Sequence, residues 1–171
     1  MLTKETLLDW LRKIDQKLKQ HITLVAVGGT AMTLRNMKES TRDVDFCLSS
    51  DQADSFQELT KDSPFHVDIF VDGFIFSEQL PTDFVEKAIV MDVNLENIEL
   101  RALSPIDIIL TKAARFNERD EEDIATISKR CKLDKEDILS RFEEIKDTYS
   151  GREEDYEYHI NLIVKRYFAE D

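Results

Sequence analysis

The chain has 171 residues, 42% of them hydrophobic and 35% charged, and carries a formal net charge of −13. That is enough apolar material for one core, while the acidic excess argues against broad adhesion to nucleic acid, which depends on Lys and Arg neutralising phosphates. No apolar run approaches the ~20 residues that a bilayer-spanning helix needs, and Cys47 and Cys131 show no CxxC spacing, so a cytoplasmic protein without membrane anchor, disulfide framework or zinc knuckle is expected.

Taken in chain order, residues 3–20 place Leu7, Leu8, Leu11, Ile14 and Leu18 at helical spacing with Trp10 beside them. The run 22–27 reads as a short apolar strand, followed by a helix from Thr30 to Met37. Residues 42–48 read as a strand, 51–60 as a helix and 66–72 as another strand. Segments 88–93 and 97–103 form a predicted hairpin closed by the polar turn from Asn94 to Asn97. Ser104, Pro105 and Asp107 make a helix start, with a side-chain cap, a proline in the first turn and an early acid. Beyond it the apolar period is helical throughout: Ile106, Ile109, Leu110 and Ala113, then Ile124 and Ile127, then Ile138 to Ile145, then Ile160 to Tyr167. The reading is a mixed α/β sheet domain up to residue 103 and a helical segment after it.

Strand alternation sets Asp43 and Asp45 on one face and Val44 and Phe46 on the other. Two like charges so close repel, and burial raises the cost. Either this is an ordinary half-exposed strand, or a cation sits between the carboxylates. Hard divalent cations take this donor set, one or two carboxylates completed by water and phosphate oxygens. Asp68, between Val67 and Ile69, is a third donor if its strand neighbours the first. Gly28 and Gly29 read either as a tight turn or as exposed amides for a phosphate at a helix start. The P-loop and dinucleotide-binding glycine patterns are both absent. His21, His66 and His159 have no metal-ligand spacing.

Val27-Gly28-Gly29, a spacer from Thr30 to Arg42, Asp43-Val44-Asp45-Phe46 and the later Asp68 together resemble the signature of the DNA polymerase β-like nucleotidyltransferase superfamily. Downstream, Lys112 followed by Arg119, Asp120 and Asp123 is similar to the small prokaryotic branch that includes the toxins of type IV abortive-infection systems. The likeness spans about residues 24–127, and the helices over 134–168 add nothing to it.

The resemblance implies an α/β (α+β) fold, a nucleotidyltransferase-like mixed sheet flanked by helices over 1–103, with a helical C-terminal segment, 104–171, packed on that core. It implies Mg²⁺ or Mn²⁺ held by Asp43, Asp45 and Asp68, which are also the catalytic acids. An NTP would be held by Gly28, Gly29, Thr30, Arg42 and Lys112, with Arg119, Asp120 and Asp123 as secondary candidates. The implied reaction moves a nucleoside monophosphate from the NTP to a hydroxyl on an RNA end, a protein or a small molecule, with release of pyrophosphate, in a toxin–antitoxin setting with a partner protein. The alternative is a catalytically inactive member of the fold acting as a binding or regulatory module. On the residues alone, Lys112 beside Ala113 reads equally as a side chain lying along the core edge, and Arg119 with Asp123 as an i, i+4 ion pair. Overall acidity departs from the basic groove usual in enzymes that extend nucleic acid. Arg35, Lys38 and Arg42 are the local basic cluster.

Overall fold

The structure, a computed structural model, describes residues 1–170. Its elements in chain order are β1 (Leu2–Thr3), α1 (Lys4–Lys17), β2 (Ile22–Ala26), α2 (Gly28–Leu34), β3 (Ser40–Thr41), β4 (Val44–Leu48), α3 (Ser50–Thr60), β5 (Val67–Val71), β6 (Phe74–Ile75), β7 (Glu78–Gln79), α4 (Phe84–Lys87), β8 (Ile89–Val90), β9 (Ile98–Ala102), α5 (Pro105–Arg115), α6 (Glu118–Arg130), α7 (Lys135–Ile145) and α8 (Glu153–Tyr167). They group into two compact units, Met1–Gly73 with Thr82–Leu103, and Phe74–Pro81 with the chain from Ser104 on. One division between the units falls between Leu103 and Ser104, and the β6–β7 hairpin groups with the helices of the second unit.

In the first unit the strands run in the order β5-β4-β2-β9-β8. β4 is parallel to β5 and antiparallel to β2, β2 is parallel to β9, and β9 is antiparallel to β8. The sheet is therefore mixed, as expected. One face of β4 is fixed by aromatic packing. Trp10 of α1 stacks on Phe46 at 6.3 Å and meets Phe56 of α3 and Phe65 edge-on, while Phe46 and Phe56 meet edge-on at 5.8 Å. Such pairs add ~0.5–1.5 kcal/mol each to the gain from burial, so the Phe46 face is committed to the core and the alternate residues of β4 take the other face. Trp10 also satisfies its indole N–H, which donates to Ser63 Oγ at 3.0 Å.

Asp15, near the end of α1, is buried and accepts the backbone amides of Glu96, Asn97 and Ile98 at 2.9, 2.7 and 3.0 Å. The connection between β8 and β9 is thus held by a carboxylate from a distant helix. A second, two-stranded sheet pairs β1 with β3, placing Leu2 opposite Thr41 and Thr3 opposite Ser40.

In the second unit α5 starts as its sequence indicates, with Ser104 as N-cap accepting from the Asp107 amide and a proline in the first turn. Asn117 and Asp120 form a reciprocal capping box at the start of α6. Asp107 is fully buried and is neutralised by Arg141 of α7, with bonds of 2.9 and 3.1 Å from Nε and Nη2. Tyr156 of α8 is fully buried and donates its hydroxyl to the Leu110 carbonyl at 2.8 Å, so its polar tip is satisfied. Among the described residues no helix is long and apolar enough to cross a membrane.

Several element boundaries differ from the sequence reading. The strand that carries the acid pair begins at Val44 rather than residue 42, so Asp43 lies outside the pleat that was to orient it. The helix after β2 begins at Gly28 itself, with Val27 as its N-cap residue, which makes the glycines its first turn. The two-residue strands β1, β3, β6 and β7 were not foreseen, because two residues are too few to show a period, and the hairpin strand expected over 88–93 is limited to Ile89–Val90.

Candidate active site

The site is built where β2 leads into α2 beside the start of β4. Gly28 has φ 54°, in the left-handed region that glycine tolerates. Gly29 approaches β3 closely: a Cβ there would lie 3.0 Å from Thr41 Oγ1 and 4.0 Å from Lys38 Nζ. The glycine pair suits a point where the chain turns at positive φ and then passes close to the Thr41 side chain.

Thr30 is fully buried, and its hydroxyl is engaged by the acid-bearing segment. Oγ1 accepts the Asp45 amide at 3.0 Å and donates to the Asp43 carbonyl at 3.2 Å. Thr41 Oγ1 donates to the same carbonyl at 2.8 Å, and the Val27 amide donates to the Asp45 carbonyl at 3.1 Å. The glycine turn and the Asp43-Val44-Asp45 backbone are therefore one hydrogen-bonded unit. The Thr30 hydroxyl thus ties the helix start to the backbone of the acid-bearing segment.

Asp45 is buried and Asp43 is exposed. In the parallel ladder Asp45 lies directly opposite Asp68 of β5. Neighbouring strands are ~4.8 Å apart and paired residues share a face, so these two carboxylates point the same way from adjacent strands. Like charges in that position are unfavourable by themselves. Asp68 is about half exposed, and its Oδ1 lies 2.7 Å from His66 Nε2. An ionised carboxylate only accepts, so this bond puts the proton on Nε2. Among the described residues no group of three His, Cys, Asp or Glu side chains already converges as a metal site. What the backbone supplies is a pair in register, Asp45 and Asp68, with Asp43 at its mouth, and a pair is within the ligand set that Mg²⁺ accepts.

Arg42 is exposed next to Asp43. Lys38, of the basic cluster noted in the sequence, has its ammonium near Gly29. Cys47 continues the Asp45 face of β4, and burial pushes its thiol up to about 11, so it stays protonated and inert at neutral pH.

The remaining expected residues lie in the helical unit. Lys112 is buried there, with Nζ 2.8 Å from Asp123 Oδ2 and 3.5 Å from Asp120 Oδ1. Asp120 also receives Arg115 Nη2 at 2.9 Å. The structure thus brings three of the four downstream residues together as a buried ion-pair network. Asp123 pairs with Lys112 across helices instead of with Arg119 along α6, and Arg119 is exposed. Thr41 and His66 were not singled out as site residues beforehand. A threonine next to Arg42 and a histidine two residues before Asp68, on one strand face, were the available signals.

The mixed sheet with its flanking helices is a nucleotidyltransferase-like fold. The chain belongs to the family described as "Nucleotidyltransferase of unknown function (DUF6036)", whose model matches residues 5–169. The match runs through both units, so the helices over 134–168 are part of the family pattern. No curated protein and no solved structure matches the chain.

Proposed function

We propose that the chain transfers a nucleoside monophosphate from an NTP to an acceptor hydroxyl and releases pyrophosphate. The observation that carries this reading is the register of Asp45 against Asp68, which sets two carboxylates side by side on one sheet face just beyond the glycine turn. Asp43, Asp45 and Asp68 would hold Mg²⁺ or Mn²⁺, and such an ion, when bound, neutralises charge on the phosphate oxygens and the leaving group. Asp68, the more exposed of the in-register pair, accepts the proton of the acceptor hydroxyl. That oxygen then bonds to the α-phosphorus, the bridge to the β-phosphate breaks, and pyrophosphate leaves with the electron pair. His66 orients the Asp68 carboxylate through its 2.7 Å contact. Gly28 and Gly29 keep the turn open for the triphosphate, with Lys38 and Arg42 as nearby cations. Thr30 serves the chemistry by placing the acids, and the burial of Lys112 among aspartates supports a structural part for it.

The net charge of −13 supports an acceptor that needs no long basic groove: a small molecule, a protein side chain or an RNA end. A toxin–antitoxin setting rests on the resemblance alone. The second reading, an inactive binding module, is favoured by the lack of three converged ligands among the described residues. Incubating the protein with α-labelled NTPs, Mg²⁺ and a cell lysate separates the two. The expected outcome is label on one acceptor class with the intact protein and at least ~100-fold less with Asp45→Asn, the scale for losing a group that acts on developing charge. Equal labelling by the variant removes Asp45 from the mechanism, and bound NTP without labelling in any lysate favours the module.

A further inference from the structure

Glu78 lies on β7 opposite Ile75 of β6, is fully buried, and has no hydrogen-bond partner for either carboxylate oxygen. The hairpin that carries it is also hydrogen-bonded to the segment at 148–150. The Gln79 amide donates to Thr148 Oγ1 at 3.0 Å, and the Ser150 amide donates to the Ser77 carbonyl at 3.0 Å. Thr148 in turn donates to the Ile145 carbonyl at 2.7 Å.

The charged and titratable groups facing Glu78 from the packed elements are all otherwise engaged. From α5, Arg115 lies over the Phe76 ring at 4.6 Å and bonds Asp120, while Asp107 is held by Arg141 of α7. From α8, Tyr156 donates to Leu110, and Tyr149, just before that helix, donates to Ala114 at 3.3 Å. In the turn at 146–148, Lys146 pairs with Glu143 at 2.8 Å and Asp147 is exposed. Asp107 and the two tyrosines give a carboxylate here no help, and Arg115 is its one attractive cation. A buried carboxylate without a bonded partner is costly, whereas a protonated carboxyl of the same shape is far less so.

We propose that the 74–81 hairpin is a proton-operated latch: Glu78 seats it against the helices as a neutral acid, and ionisation of Glu78 releases it. Burial pushes the Glu78 carboxyl up to about 8, with the Ser77 backbone and Arg115 pulling it back only in part. The folded value lies above the ordinary glutamate value of 4.5, so the stabilisation is complete below that value and is lost as pH rises through about 8. Alkaline pH opens the latch and acid closes it.

Amide exchange of residues 74–81, corrected for intrinsic base catalysis, tests this in the wild type and Glu78→Gln. Between about 4.5 and about 8 the wild-type protection of this segment should fall by up to roughly tenfold per pH unit relative to the variant and level off above that window, while α5 stays protected in both. Identical pH profiles in the two proteins overturn the latch, as does wild-type opening on acidification. The carboxyl-carbon NMR titration of Glu78 in the wild type decides the matter without a variant. A midpoint near 8 supports the latch, and one in the ordinary glutamate range overturns it.

Discussion

Thr30 shows how much of a side chain's role lies in partners that residue type does not name. Its position after Gly28-Gly29 suggests a hydroxyl for phosphate, yet that hydroxyl bridges the Asp43 carbonyl and the Asp45 amide in the protein interior. Thr30→Val keeps the shape and removes both bonds, leaving a buried amide at Asp45 without its partner. Losing that partner costs ~1–3 kcal/mol, which at this chain length lowers Tm by ~2–4 °C per kcal/mol. Thr30→Ser retains the hydroxyl and should lie much closer to wild type, and thermal unfolding of the two variants reads the difference. A phosphate-only role predicts the opposite, with Thr30→Val as stable as wild type. The candidate acids were legible because their spacing repeats a strand's two-residue period. Their unequal exposure was not, because Asp43 lies one residue before the strand begins.

At the level of elements, register turned a motif into a geometry. Asp45 and Asp68 meet because β4 and β5 run parallel and pair residue for residue, a long-range fact for which the sequence offers only two compatible strands. The pairing of β1 with β3 was invisible for a related reason: Leu2–Thr3 and Ser40–Thr41 are too short to show a period. That pairing holds Thr41 where Gly29 must pass it. A glycine inside a helix normally gains ~0.5–1 kcal/mol on replacement by alanine. Here the new Cβ would sit 3.0 Å from Thr41 Oγ1, which also holds the Asp43 carbonyl. Gly29→Ala should therefore destabilise, by ~1–3 kcal/mol as overpacked sites do. A urea midpoint above that of wild type would show that the contact relaxes freely.

For the whole molecule, apolar periodicity located the long helices and the change of character after residue 103, since each long helix buries one stripe. The buried charged groups that knit each unit escaped it. Asp15 reaches the amides at 96–98, Asp107 reaches Arg141, and Lys112 reaches Asp120 and Asp123. The first two reach across 34 residues or more and leave no local signature, whereas Lys112, Asp120 and Asp123 stand close in sequence and only their burial as an ion-pair network did not show there. The family match over residues 5–169 makes both units part of one nucleotidyltransferase pattern. The central claim is that the Asp45–Asp68 pair binds metal and nucleotide together. The direct measurement is the shift in Tm with each NTP, with and without Mg²⁺, for the wild type and Asp45→Asn. Ligand at ~100 times its Kd stabilises by ~2.7 kcal/mol, a rise of ~5–10 °C at this chain length. That rise is predicted for the wild type only when NTP and Mg²⁺ are both present, and it should vanish in Asp45→Asn. No metal-dependent shift with any NTP, or the same shift in the variant, would contradict the claim.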